Sequence, residues 1–342
     1  MKIRLAACGL AMTLVTFSAV NAQSPSNDTV IVTADNFNRA ETDMYLGVFV
    51  KRGALGKFAH VRDLPIDSPV VRLNRDILYS EAVFDLDAGP VKIVLPNPGK
   101  RFMSMMAVNE DHYVHEVDYG AGNYTFTKGE VGTRYLFLAL RTQVDPDDPK
   151  DLEQAHALQD AVTVRQASPG KFEIPNWDPV SQKKMRDALL MMNASLPNLR
   201  RAFGSRFQVD AVRHLIGTAA GWGGNPDKDA IYINVTPEKN DGSTVYKLGV
   251  PKSVPINAFW SVTVYDPEGH LQKNQYNTYS VSSMNGKKSA DGSVTMQFGG
   301  CDGKIPNCVP TMKGWNYMVR LYRPRDEILS GKWKFPEAKP AG

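Results

Sequence analysis

The chain has 342 residues, 42% hydrophobic and 22% charged; these globular values exclude disorder, collagen and coiled coil, and the length predicts two domains of about 150 residues each. Three cysteines exclude a disulfide-dense scaffold and an all-cysteine zinc site, which needs four thiolates. A formal net charge of +4 without any block of like charges argues against nucleic acid and against a polybasic membrane face.

The first segment, Met1 to Ala22, reads as a secretory leader. Lys2 and Arg4 form a basic start, an apolar run follows, and Val20-Asn21-Ala22 sets small residues before a cut predicted after Ala22. Leu5-Ala6-Ala7-Cys8 matches a lipoprotein box, but too little chain precedes it to insert. The apolar run is also short for a membrane span of about 20 residues. The expected mature protein is periplasmic or secreted, with no stable membrane span. Losing Lys2 and Arg4 lowers Lys+Arg from 40 to 38 against 36 acids, a net charge of +2. Losing Cys8 leaves Cys301 and Cys308, seven residues apart. In an exported protein this pair predicts a disulfide, whereas a redox pair is usually spaced Cys-x-x-Cys.

A helix is expected to open at Thr33, before Ala34-Asp35-Asn36, with an apolar stripe of Phe37, Ala40, Met44 and Val48. Arg39, Glu41 and Asp43 lie off that stripe, and Gly53 and Gly56 close the element. From Val70 to Thr142, short β-rich runs separated by Gly, Pro and Asn predict an antiparallel sheet. Asp145-Pro146-Asp147-Asp148-Pro149 breaks the chain, and a helical zone follows from Leu152 to Gly221. Within it, Met191 and Met192 read as core filler. After Gly223-Gly224-Asn225-Pro226, six strand candidates lead to the end, the pattern of a sandwich or jelly roll. The predicted class is α+β: an N-terminal α+β domain over 30–145, a helical connection over 146–224, and an all-β sandwich over 225–335.

The densest polar cluster is Arg72-Leu73-Asn74-Arg75-Asp76-Ile77-Leu78-Tyr79. Arginine forks suit carboxylate, phosphate or sugar ligands; the competing reading is an internal Arg–Asp pair around a turn. A second cluster, Asp111-His112-Tyr113-Val114-His115-Glu116, holds two of the six histidines. On a regular strand His112 and His115 face opposite ways, so they do not share a metal. His112 or Asp76 would serve as acid or base in a hydrolase, with Arg72, Asn74, Arg75, Tyr79, Asp111 and Tyr113 binding the ligand. The competing reading for His112 is a hydrogen-bonded histidine at a sheet edge. No Gly-x-Ser-x-Gly elbow, Walker A loop or Gly-x-Gly-x-x-Gly turn is present, and no motif identifies a cofactor or metal. In Phe259-Trp260-Ser261-Val262-Thr263-Val264-Tyr265, Trp260, Val262 and Val264 share one face, and Ser261, Thr263 and Tyr265 the other.

Taken together, Arg39-Ala40-Glu41-Thr42-Asp43, Val71 to Ser80, Asp111-His112-Tyr113 and Gly132-Thr133-Arg134-Tyr135 resemble domain of unknown function 1254. Ala220-Gly221-Trp222-Gly223-Gly224, Ala258 to Asp266, Asp291-Gly292-Ser293 and Arg320-Leu321-Tyr322 resemble its usual partner, domain 1214. The resemblance runs from about Asp35 to Trp333. It implies a bacterial envelope or secreted protein with an α+β domain and a jelly-roll-like sandwich, and no family-wide activity. Ile77 stands where the family more often has Thr, and the helical middle is short. The expected function is binding of a polar, anionic or carbohydrate-like small molecule. A hydrolase using the same residues, or a structural envelope role, are the alternatives.

Overall fold

The computed structural model describes residues 28–68 and 70–341. The leader, its cleavage point and Cys8 lie outside the described residues. Among those residues no helix is long and apolar enough to cross a membrane.

The fold is α+β. In the N-terminal half a five-stranded antiparallel sheet runs in the order Ala59–His60, Ile77–Asp85, Tyr135–Gln143, Met103–Asn109, Val114–Tyr119. One face is apolar because Phe84, Leu138, Leu140 and Met105 alternate onto it. A three-stranded sheet covers that face with Val91, Ile93 and Phe126. Helix α1, Phe37–Lys51, lies on the other face, where Leu46 and Phe49 pack on Val83, Met106 and Phe137. Three further helices follow: α2 at Pro149–Asp160, α3 at Pro179–Asn193 and α4 at Ala211–Gly221. Asp148, Asp178 and Asp210 cap them by accepting backbone N–H bonds.

Helix α1 departs from the predicted stripe. It starts at Phe37 rather than Thr33, because Asn36 turns back to accept the Thr33 N–H (2.8 Å). Phe37 and Ala40 are buried as expected, but Met44 and Val48 are exposed, while Glu41, Thr42 and Asp43 are fully buried. The helix is wedged between the sheet and helices α3 and α4, so one apolar stripe does not describe its buried surface. The buried polar side chains have partners. Arg186 grips Glu41 at 2.7 and 2.6 Å, and Trp222 Nε1 donates to Thr42 Oγ1 at 3.0 Å. Met191 and Met192 are also exposed, on the outer side of α3, and are not core filler.

Asp43 accepts a bond from Trp177 Nε1 (2.8 Å), and its other oxygen makes none among the described residues. Burial raises its carboxyl from 3.8 to about 7, with Glu110 and Asp111 adding to the rise and Arg39 opposing it. The folded chain therefore holds a proton that the unfolded chain has lost, so this contribution to stability is full below 3.8 and disappears as pH rises through about 7. Asp43→Asn should gain on the native chain between about pH 4.5 and about pH 7.5, by up to about 3 kcal/mol. Urea melts of both chains at the two pH values measure it; a difference that does not change with pH removes Asp43 as its source.

In the C-terminal half, two four-stranded sheets share one core. Trp260, Val262 and Val264 of one sheet meet Leu248, Met296 and Phe298 of the other, with Trp315 and Tyr317 between them. The predicted strands are there, as Ala230–Val235, Tyr246–Val250, Trp260–Tyr265, Ser280–Ser282, Val294–Phe298 and Asn316–Tyr322. The Cys301–Cys308 disulfide is formed. It closes a short loop, so replacing both cysteines by serine should cost about 2–3 kcal/mol. An unchanged urea midpoint would show that the bridge does not constrain the unfolded chain.

Candidate functional site

The site lies where the outer face of a C-terminal sheet meets the N-terminal sheet. Alternation sends Trp260, Val262 and Val264 into the sandwich core and leaves Ser261, Thr263 and Tyr265 on the opposite face. The register sets Tyr232, Arg320 and Ser261 in one row across three strands. A polar sheet face of this kind is stable when buried only if each group finds a partner. Segment 72–76 and the face itself supply them for all but the Ser261 hydroxyl, which makes no hydrogen bond among the described residues. Arg320 donates to Thr263 Oγ1 (3.0 Å), to the Tyr265 hydroxyl (2.7 Å) and to the Arg72 carbonyl (2.9 Å). Asn74 Nδ2 donates to the Tyr322 hydroxyl at 2.7 Å, and Arg72 Nη1 to Asn316 Oδ1 at 2.8 Å. Arg75 pairs with Asp147 (2.8 Å) and lies 5.0 Å from the Tyr279 ring centre.

Asp76 is buried at this junction, and its Oδ2 makes no hydrogen bond among the described residues. Burial pushes its carboxyl up, opposed by the Ser261 hydroxyl, Arg320 and Arg75.

Arg141 enters from the N-terminal sheet, directly opposite Tyr79 in the register. Phe137 and Ala139, on the same face of the strand, sit beneath helix α1; Arg141 lies one step past that cover. Its guanidinium is 5.7 Å from the Tyr79 ring centre, Nη2 donates to the Gly223 carbonyl (3.1 Å), and Nη1 faces Met106 Sδ (3.8 Å). Arg141 is 5% and Arg320 2% exposed. Neither forms an ion pair among the described residues. The two differ in how their donors are used. Three oxygens take the Arg320 protons, whereas Arg141 has one carbonyl, a thioether and the Tyr79 hydroxyl. Tyr79, Tyr232 and Tyr322 surround Arg141. The Tyr232 hydroxyl accepts from Asn225 Nδ2 (2.8 Å) and the Tyr322 hydroxyl from Asn74, so each phenol keeps its own O–H to donate. A buried guanidinium flanked by phenolic donors favours an anion.

His112, Asp111 and Tyr113 are not beside Asp76 and Tyr79. They form the tight turn after Met103–Asn109, with His112 at φ 66°, so the predicted strand alternation does not apply to them. Asn109 Oδ1 holds the turn by accepting from the Asp111 and Tyr113 N–H groups. Asp111 pairs with Arg39 (2.7 Å), and the Tyr113 ring stacks on His214 at 4.4 Å. His112 is buried rather than at a sheet edge. The Gly223 N–H donates to its Nε2 (2.8 Å), so Nδ1 carries the proton and gives it to Thr218 Oγ1 (2.8 Å). Burial, with His214 next to it, holds its pKa well below the usual value. One residue joins the two clusters: Gly223 donates its N–H to His112 and offers its carbonyl to Arg141.

A cavity of about 600 Å³ opens between residues 193–203, the edge strand Ala230–Val235 and the C-terminal segment 331–337. Asn225 and Tyr232 line it, which brings it to the Arg141 cluster. Among the described residues no group of three or more His, Cys, Asp or Glu could hold a metal ion.

Sequence reasoning missed Arg141, Arg320, Tyr232 and Tyr322 as site residues. For Arg141 a signal existed, since it is a charge directly after the apolar run Tyr135 to Leu140, in the same strand.

The family model described as protein of unknown function 1254 matches residues 55–129, and that of protein of unknown function 1214 matches 230–326. No curated protein matches the chain. Among solved structures, the VPA0106 protein of Vibrio parahaemolyticus is similar with a TM-score of 0.71 and 20% identity, over 90% of this chain and 98% of that one. A putative uncharacterised protein from Burkholderia cenocepacia has a TM-score of 0.49 and 12% identity, over 90% and 88% of the two chains.

Proposed function

Because the chain belongs to the family that pairs domains of unknown function 1254 and 1214, membership brings no activity with it, and we propose a function from the site: binding of a small anionic molecule at Arg141. The supporting observation is a buried guanidinium with no ion-pairing carboxylate among the described residues, ringed by Tyr79, Tyr232 and Tyr322. Glu81 and Asp229 feel its charge without contacting it, and a buried charge without a contacting counter-ion costs several kcal/mol, which an anionic ligand would offset. Asn74, Asp76, Arg72 and Arg75 hold the junction around it, and His112, in the turn it forms with Asp111 and Tyr113, supports it through Gly223.

Thermal melts with acetate, phosphate and citrate test this. A ligand at a hundred times its Kd should stabilise the native chain by about 2.7 kcal/mol. Arg141→Gln, which can still donate to the Gly223 carbonyl, should lose that gain. Equal shifts in both chains, or none with any of the three anions, would sink the proposal.

The hydrolytic alternative rests on Asp76 rather than His112, because burial raises the Asp76 carboxyl while both His112 ring nitrogens are engaged. It requires turnover of ester, phosphate-ester or glycoside substrates that Asp76→Asn abolishes; background rates across such a screen would exclude it.

The reading places the mature protein outside the cytoplasm, as the leader-like start and the Cys301–Cys308 bridge support. Fractionation and N-terminal sequencing should find it in the periplasm or medium, beginning at Gln23. An intact Met1 in the cytoplasm would contradict export.

A further inference from the structure

The 600 Å³ cavity beside the Arg141 cluster carries a more specific reading. Its volume falls within the roughly 300–1,000 Å³ of small-molecule sites, and it lies between the helical segment and the sandwich, where such sites often form. Its lining is chemically biased. Among a largely aliphatic lining that carries Arg200 and Lys334 against Asp227 and Glu337, Asn193, Asn198, Asn225 and Asn234 contribute four primary amides, while Trp333 and Tyr232 contribute aromatic rings. A primary amide offers two donors and an acceptor and so matches a hydroxyl, which both donates and accepts. An aromatic ring suits the C–H face of a pyranose, which is apolar. Asn234 and Tyr232 project from the same side of the edge strand and are exposed, so they are available to a ligand. Tyr232 also feels the Arg141 charge and is held by Asn225, so Tyr232 is the link between the amide-lined space and Arg141, which itself lies outside the lining.

We propose that the ligand is an acidic saccharide, with its carboxylate or phosphate at Arg141 and its sugar ring or rings in the cavity between Trp333 and Tyr232. This rests on the anion-binding reading of Arg141 and adds the body of the ligand to it. The asparagines would take ring hydroxyls. Trp333 is partly exposed on the opposite wall, where its backbone N–H donates to the Glu327 carbonyl at 2.8 Å.

Titration calorimetry on the full mature chain tests it, with tri-galacturonate, trehalose 6-phosphate, neutral galactotriose and acetate as probes. At least one acidic saccharide should bind tenfold or more tightly than acetate and than galactotriose. Trp333→Ala should weaken that saccharide by about tenfold and leave acetate unchanged, because a lost ring contact removes about 1.4 kcal/mol per factor of ten. Asn234→Ala, at an exposed position, is the control against misfolding and should also weaken the saccharide alone. Arg141→Gln should weaken both acetate and the saccharide.

If acetate binds through Arg141 but no acidic saccharide binds more tightly, or if Trp333→Ala and Asn234→Ala change nothing, the saccharide proposal is overturned and the anion site stands. If Arg141→Gln leaves every probe unchanged, both fall.

Discussion

His112→Ala is expected to destabilise the protein by about 3–5 kcal/mol at neutral pH. The side chain is 1% exposed and packs between the Trp222 and His214 rings, 5.5 and 5.6 Å away. Truncation leaves the buried Gly223 N–H without its acceptor, at about 1–3 kcal/mol, and deletes a ring from a packed site, at about 2 kcal/mol or more. The effect has a pH signature. Burial holds the folded-state pKa of His112 well below 6.5. The unfolded chain binds a proton near pH 6.5 that the folded chain does not, so the native protein has its full stability above that pH and loses some below it. Alanine has no such proton. The gap between the two chains should therefore narrow from about pH 7.5 to about pH 5 in urea melts. A cost below about 1 kcal/mol, or a gap independent of pH, would show that His112 does not brace the Gly223 turn.

Arg320→Met should cost about 3–5 kcal/mol as well, the range for removing one partner from a buried charged network. Methionine fills much of the volume but gives no proton to Thr263, Tyr265 or the Arg72 carbonyl, and it leaves Asp76 with Arg75 as the remaining buried cation that opposes its rise. The bond to the Arg72 carbonyl joins the C-terminal sheet to segment 72–76, and the other two hold Arg320 and Tyr265 in place for it, so their loss should weaken the coupling of the two halves. Intrinsic fluorescence is expected to show two unfolding transitions in urea where the native chain shows one. A single transition at an unchanged midpoint would mean that the junction is held by its apolar contacts, Ile77, Phe259 and Tyr322 among them. Arg141→Gln should stay near the native midpoint without ligand, because Arg141 makes fewer bonds to protein oxygens than Arg320 does.

The sequence carried the strands well and the helices less well, for a physical reason. In Trp260–Tyr265 a period of two separates core from junction without knowledge of either neighbour, and the residues fall as the alternation requires. Helix α1 contacts a sheet and two helices, so its buried set includes Glu41, Thr42 and Asp43, which only the distant Arg186, Trp222 and Trp177 make tolerable. The site divides in the same way. Asn74, Asp76 and Tyr79 are near one another in sequence, and the structure keeps them at the junction. His112 finds its partner 111 residues away in Gly223, and Asn74 its partner 248 residues away in Tyr322. No local pattern encodes such pairings. Arg141 was visible as a charge in an apolar strand, but that it makes no ion pair among the described residues emerges only when the surrounding side chains are in place.

Arg141 is a ligand-binding cation only if an anion sits on it. The most direct measurement is a crystal structure of the mature protein grown without anionic buffer and then soaked with the anion that gives the largest melting shift. Two ligand oxygens within about 3 Å of the Arg141 guanidinium, with Tyr232 or Tyr322 donating to one of them, are the expected result. An unoccupied Arg141 at saturating anion, with the ligand bound elsewhere or nowhere, would contradict it.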